Sequence, residues 1–239
     1  MEHIKKFLKP VLILVFMVTV LSCKNNKTEK VEEPKKMEEP VMPEVPVFTP
    51  FDVIVIKHKV ANYDKWLLAY NAHDSIRQSY GITHFVIGRG MENENMIIVI
   101  DKMNDVKKAK EFSTLPSLKD AMKKAGVMGI PTFSFYNVIR NDDSKINIKD
   151  RLMVTHRVKD FEAWLKVYDA EGTAKRMEEG LIDRGMARSV DDPNMVTLVF
   201  AISDMKKAKA AITSEAKKKI MMEAGVEGAP EIFYYKLVE

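Results

Sequence analysis

His58 and His156 are the residues best placed for chemistry in this chain of 239 residues. Each ends an apolar, β-branched run. Alternation along an extended strand puts His58 on the face of Ile54, Ile56 and Val60, and His156 on the face of Leu152, Val154 and Val158. An imidazole titrates close enough to neutrality to take up or return a proton, so both are candidate general bases. The alternative for each is a structural histidine bonded to a backbone carbonyl or to a tyrosine carried by a helix. Trp66 with Tyr70, and Trp164 with Tyr168, stand four residues apart, the spacing of neighbours on one helix face. Such pairs pack a core, or form the wall of a pocket for a planar ligand. Arg89 and Arg188 sit at strand ends, where a guanidinium can hold an acidic group or simply face solvent.

Other chemistries find little support. His73 and His84 fall on different elements from His58, and Cys23, the only cysteine, stands far from them in sequence, so no metal site is expected. No phosphate-binding, dinucleotide-binding or Gly-x-Ser-x-Gly motif occurs, and no cofactor is expected. The net charge of +4 comes from interleaved Lys and Asp/Glu. Lys107-Lys108 and Lys217-Lys218-Lys219 fit solvated helix faces, and nucleic acid is not an expected partner. The many methionines read as adaptable core filling.

What positions these residues is a duplication. Lys57-His58-Lys59-Val60 aligns with Thr155-His156-Arg157-Val158, Trp66 with Trp164, and Tyr70 with Tyr168. After a slip of one residue, placed near Gly81 and Gly180, Arg89 meets Arg188 and Asn95-Met96 meets Asn194-Met195. Ala125-Gly126-Val127-Met128-Gly129-Ile130-Pro131 then meets Ala224-Gly225-Val226-Glu227-Gly228-Ala229-Pro230. His73 and His84 have no counterparts, since Glu171 stands opposite the first and Asp183 or Ile182 opposite the second. In each copy a first strand (52–60, 151–158) precedes a helix capped by Asn62 or Asp160. Second strands (82–89, 181–190), hairpin turns and third strands (96–101, 195–201) follow. A helical stretch begins at Asn104 or Ser203, interrupted in the first copy near Leu115-Pro116, and Pro131–Val138 or Pro230–Val238 closes the copy as a fourth strand. The order βαββαβ is the ferredoxin-like unit, an α+β fold with helices on one face of an antiparallel sheet. The open face must be covered too, and two tandem copies packed sheet to sheet as a pseudo-dimer would cover it.

The N-terminus has its own pattern. Lys5, Lys6 and Lys9 precede an apolar run from Val11 to Leu21, too short to span a bilayer, which needs roughly 20 residues. The run ends in Val20-Leu21-Ser22-Cys23, which resembles the lipobox of bacterial lipoproteins. The resemblance implies a signal peptide over 1–22, lipidation of Cys23, and attachment to a membrane surface of the cell envelope. Lys24 after the cysteine leans toward the outer membrane. Residues 23–50, rich in Glu, Lys and Pro, read as a disordered tether. The expected organisation is then a first repeat over 51–140, a linker over 141–150 and a second repeat over 151–239.

Together the repeat, the motif Asp64-Lys65-Trp66 or Glu162-Ala163-Trp164 after strand one, and the Ala-Gly-Val-x-Gly-x-Pro segment resemble the dimeric α+β barrel superfamily, which includes antibiotic biosynthesis monooxygenase-like proteins. The resemblance implies pairing of two units through their sheets and small-molecule binding between sheet and helices. It also covers cofactor-free monooxygenases and haem proteins, but the haem-degrading pattern places its Trp on a strand, whereas Trp66 and Trp164 fall on helices. The expected function is an envelope lipoprotein that binds a small hydrophobic molecule or is non-catalytic, with an envelope protein as a further possible partner. The competing expectation is a cofactor-free monooxygenase or isomerase with a histidine base.

Overall fold

The computed structural model describes residues 48–238; the signal peptide, Cys23 and nearly all of the expected tether lie outside the described residues. The first repeat contains β1 (Phe51–Val60), α1 (Tyr63–Ala72), α2 (Asp74–Ser79), β2 (Ile82–Gly90), β3 (Met96–Met103), α3 (Val106–Ser113), α4 (Pro116–Lys124) and β4 (Val127–Asn141). The second contains β5 (Asp150–Val158), α5 (Phe161–Glu178), β6 (Leu181–Ser189), β7 (Met195–Ile202), α6 (Met205–Thr213), α7 (Glu215–Glu223) and β8 (Val226–Leu237). Each is a βαββαβ unit. No helix among the described residues is long and apolar enough to cross a membrane.

The two units do more than stack. Their strands form one closed antiparallel barrel in the order β1-β3-β2-β8-β5-β7-β6-β4. Two seams join the repeats: β4 to β6, over Tyr136–Asn141 against Gly185–Ser189, and β2 to β8, over Gly88–Gly90 against Tyr235–Leu237. Closure gives every strand two neighbours, so no strand is an edge along its whole length. Strands buried on both faces then make three cores. Ile54, Ile56, Ile97, Val99 and Trp66 pack under the first repeat's helices, and Leu152, Val154, Val196, Leu198 and Trp164 under the second's. Val53, Val55, Ile98, Ile100, Tyr136 and Tyr235 point into the barrel.

Three features depart from the sequence pattern. The extra residue of the second repeat lies within α5, upstream of Gly180, at Gly172, whose φ of 78° breaks the helix where His73 separates α1 from α2. The interruption of the second helical stretch is common to both repeats: Pro116 opens α4, and Ser214 caps α7 through a hydrogen bond from Lys217 N. Finally, the Gly-x-Pro segment does not precede the last strand but bulges within it. The register of β4 jumps from Thr132 opposite Lys57 to Met128 opposite Lys59, and that of β8 from Glu231 opposite Thr155 to Glu227 opposite Arg157. Gly129 and Gly228, with φ of 73° and 71°, supply the left-handed turn, and the proline gives up no ladder donor in a bulge. Each bulge lies directly opposite a histidine, His58 or His156.

Candidate ligand pockets between sheet and helices

Both predicted histidines project toward the helices, and both are buried, with 4% and 5% of their surface exposed. The caps aim the aromatic pairs at them. Asn62 accepts from Lys65 N at 2.8 Å and Asp160 from Ala163 N at 2.7 Å, which starts each helix one turn before its tryptophan. The result is a column in which the histidine meets the tryptophan at a steep angle and the tryptophan stacks on the tyrosine. Ring centroids of His58 and Trp66 are 5.3 Å apart, those of Trp66 and Tyr70 5.3 Å, and the Arg77 guanidinium lies 3.6 Å from the Tyr70 ring centre. The second repeat reproduces it with His156, Trp164, Tyr168 and Arg176 at 5.4, 5.3 and 4.0 Å.

A carboxylate locks the far end of each column. Tyr70 Oη donates to Asp101 Oδ1 at 2.8 Å, and Arg77 Nε lies 3.8 Å from Asp101 Oδ2. Tyr168 Oη donates to Asp183 Oδ1 at 3.0 Å, and Arg176 grips the same carboxylate through Nε and Nη2 at 2.8 and 2.7 Å. Burial, then the field of the neighbouring aspartate, pushes both phenols above their ordinary pKa. They are held as donors and are poor proton acceptors. The two aspartates come from different strands: Asp101 from β3, while Asp183 on β6 stands where the first repeat has His84. His84 has kept a place in the network, with Nδ1 3.0 Å from Tyr70 Oη.

The imidazoles differ from the tyrosines beside them. None of their four ring nitrogens has a hydrogen-bond partner among the described residues. The expected alternative, a histidine satisfied by a carbonyl or by the helix-borne tyrosine, is therefore not what occurs, because Tyr70 and Tyr168 are turned to aspartates. Burial alone lowers both pKa values to about 4, so the rings are neutral at pH 7. Each ring borders a small cavity under the helices. That of His58 has about 60 Å³ and is lined by Trp66, Tyr70, Phe112 and Met122; that of His156 has about 80 Å³ and is lined by Trp164, Tyr168, Leu198 and Met221. Helices α4 and α7, which border these spaces, contain no buried residue. Leu118 and Met122 of α4 still pack against the first core, and Lys217 of α7 pairs with Glu171 and Glu179.

The other candidates go elsewhere. Arg89 donates to Glu94 O at 2.8 Å and lies over Tyr63; Arg188 donates to Pro193 O at 2.7 Å and lies over Phe161. Both brace the β-hairpin against the start of the first helix and line neither cavity. His73 borders the first cavity, and no cluster of three or more potential metal ligands occurs among the described residues. Cavities of this size also do not fit a haem macrocycle. Sequence reasoning passed over Arg77, Arg176, Asp101 and Asp183. Moving the slip to Gly172 would have matched the two arginines; Asp101, a lone charge in Met96-Ile97-Ile98-Val99-Ile100-Asp101, was visible but had no partner in the repeat.

The closed eight-stranded sheet with helices outside decides the architecture. This is the dimeric α+β barrel, built from one chain. No family model matches the sequence, and no curated protein matches it either. Solved structures do. A proposed monooxygenase from Fusobacterium nucleatum superposes with a TM-score of 0.51 at 11% identity, covering 80% of this chain and 93% of that one. An anthrone oxidase-like protein gives 0.51 at 10% identity, covering 79% and 92%. At such identities the α+β barrel shares its fold with these proteins, and their chemistry does not transfer with it.

Proposed function

We propose that this α+β barrel is a small-molecule-binding protein of the bacterial envelope, held at a membrane by lipid on Cys23. In this reading each repeat takes an apolar ligand between sheet and helices, with His58 or His156 as its polar contact. The observation that carries the reading is the pair of buried imidazoles whose nitrogens meet no protein partner. A buried polar group left unsatisfied costs about 1–3 kcal/mol, and the chain bears that cost at equivalent places in both repeats. A ligand that accepts from or donates to the ring offsets it. Envelope attachment rests on the basic, apolar and Ser22-Cys23 pattern of the N-terminus.

Binding is favoured over turnover for two reasons. A general base works best with a pKa near the working pH, and these imidazoles sit at about 4. The tyrosines beside them are committed to aspartates. The competing reading, a cofactor-free monooxygenase or isomerase, draws on the fold it shares with monooxygenase-like proteins and on the histidine beside an apolar wall. Native mass spectrometry of residues 51–239 purified from the source cells separates the two. A copurified small molecule that is lost in His58→Phe/His156→Phe supports binding. Consumption of a molecule by the purified protein, abolished in that folded double variant, would replace binding with catalysis.

A further inference from the structure

We propose that the barrel interior is a separate binding site, for a single-chain amphipathic carboxylate. The site does not depend on the helix-covered pockets. It is a cavity of about 310 Å³, the lower end of the range for small-molecule sites, and its wall is mostly apolar: Val53, Val55, Ile100, Val138, Met153 and Tyr235. At roughly 30 Å³ for a water-sized group, it encloses about ten heavy atoms, most of the twelve in a ten-carbon carboxylate. Phe85, Asp142 and Asp143, exposed residues of its lining, mark where it reaches solvent.

The repeats make the inside of this barrel unequal. At matched positions the first repeat carries Val53 and Phe85, and the second Arg151 and Arg184. Arg184 is neutralised: Nη1 lies 3.0 Å from Asp142, and Nη2 donates to Ser144 O at 2.8 Å. Arg151 is not. Its Nη1 donates to two carbonyls, Ile148 O at 2.6 Å and Asp150 O at 3.1 Å, and no carboxylate lies in ion-pair range of it among the described residues. With 7% of its surface exposed, it is a buried cation in a greasy cavity. Burial works most against its charge and Arg184 adds repulsion, while Asp150 lends it some opposing field. Asp143 faces water and is screened. Opposite the arginines, Phe51 and Phe85 meet edge to face, with Lys102 4.6 Å from each ring centre. An anionic head on Arg151 with an alkyl chain along Val55, Ile100 and Met153 satisfies both the cation and the apolar wall.

Residues 48–239 suit the test, because every strand there is paired on both sides and all three cores are internal. Titration with sodium decanoate, and separately with decan-1-ol, is followed by calorimetry and by methyl resonances. The expected result is saturable one-to-one binding of decanoate with shifts at Val53, Met153 and Val199. The alcohol should bind at least tenfold more weakly. Arg151→Val, which installs the first repeat's residue, should remove the advantage of the acid and leave alcohol binding in place. Gly185→Val, again the first repeat's residue, fills the cavity; its added Cβ meets Arg140 O at 3.7 Å and Val199 Cβ at 3.8 Å, both ordinary contacts, and both ligands should weaken at least tenfold. Should Arg151→Val fail to fold, the acid–alcohol comparison and Gly185→Val still decide. Absence of saturable decanoate binding, equal affinity for acid and alcohol, binding unchanged in Gly185→Val, or shifts confined to Met122, Leu198 and Met221 of the helix-covered pockets would each overturn the proposal.

Discussion

Acid should unfold this protein through two residues. In the folded state burial lowers His58 and His156 from 6.5 to about 4. Between those values the unfolded chain takes up protons that the folded one refuses, so stability is complete above pH 6.5 and falls as the pH drops toward 4. One pH unit is worth about 1.4 kcal/mol per group, so each imidazole contributes roughly 3 kcal/mol across the window. The pair together contributes about 5–7 kcal/mol, comparable to the entire stability of many domains. Asp142 and Asp169 lose their charge below this window. Hydrogen bonds from Ser144 to Asp142 and from Arg140 to Asp169 hold those groups below 3.8, so their contribution disappears only at lower pH. Urea unfolding of residues 48–239 at pH 7.0 and 4.5 measures the effect. The parent should lose about 5 kcal/mol, each of His58→Phe and His156→Phe about half that, and the double variant little. A double variant that loses as much stability as the parent over this window would refute the assignment of acid sensitivity to the imidazoles.

Three further outcomes test the packing around the pockets. Arg77→Leu leaves the fully buried Asp101 without its cation and should cost about 3–5 kcal/mol, whereas Tyr70→Phe removes one donor and should cost about 1–3 kcal/mol, both read from denaturant midpoints. Gly88→Ala would put a Cβ 2.3 Å from Tyr235 Cδ2, and a loss of about 1–3 kcal/mol with shifted Tyr235 resonances is expected from the overpacking. Gly172→Ala meets nothing within 4 Å, so its cost of about 1–3 kcal/mol should come from the backbone alone; at φ 78° and ψ 154° the residue lies outside the left-handed region that asparagine tolerates, so Gly172→Asn should lose as much in thermal melts.

Eight strands, their order and the caps at Asn62 and Asp160 were legible because a repeat states each pattern twice. The lateral closure of the barrel was not, since strands buried on both faces read as continuous apolar runs whichever neighbour they meet. Gly129-Ile130-Pro131 signals a break, and only the pairing with β1 shows that the break is a bulge held inside a longer strand. His58, Trp66 and Tyr70 were found because they recur at fixed spacing. Asp101 and Asp183 perform one task from two strands, so alignment of the copies sets each against an unrelated residue. Arg89 and Arg188 recur faithfully, yet for the hairpin rather than for a pocket, which shows that repetition marks what a unit needs without saying whether the need is chemical.

A barrel assembled from two separate chains comes apart on dilution, because its closure depends on encounter. Here the strands that close it belong to one polypeptide, and the segment joining β4 to β5 spans only residues 142–149. Bringing the halves together costs the entropy of one short loop, a quantity independent of how many copies are present. The enclosed interior consequently exists in a single molecule as fully as in a concentrated solution, and no threshold of expression has to be crossed before it forms.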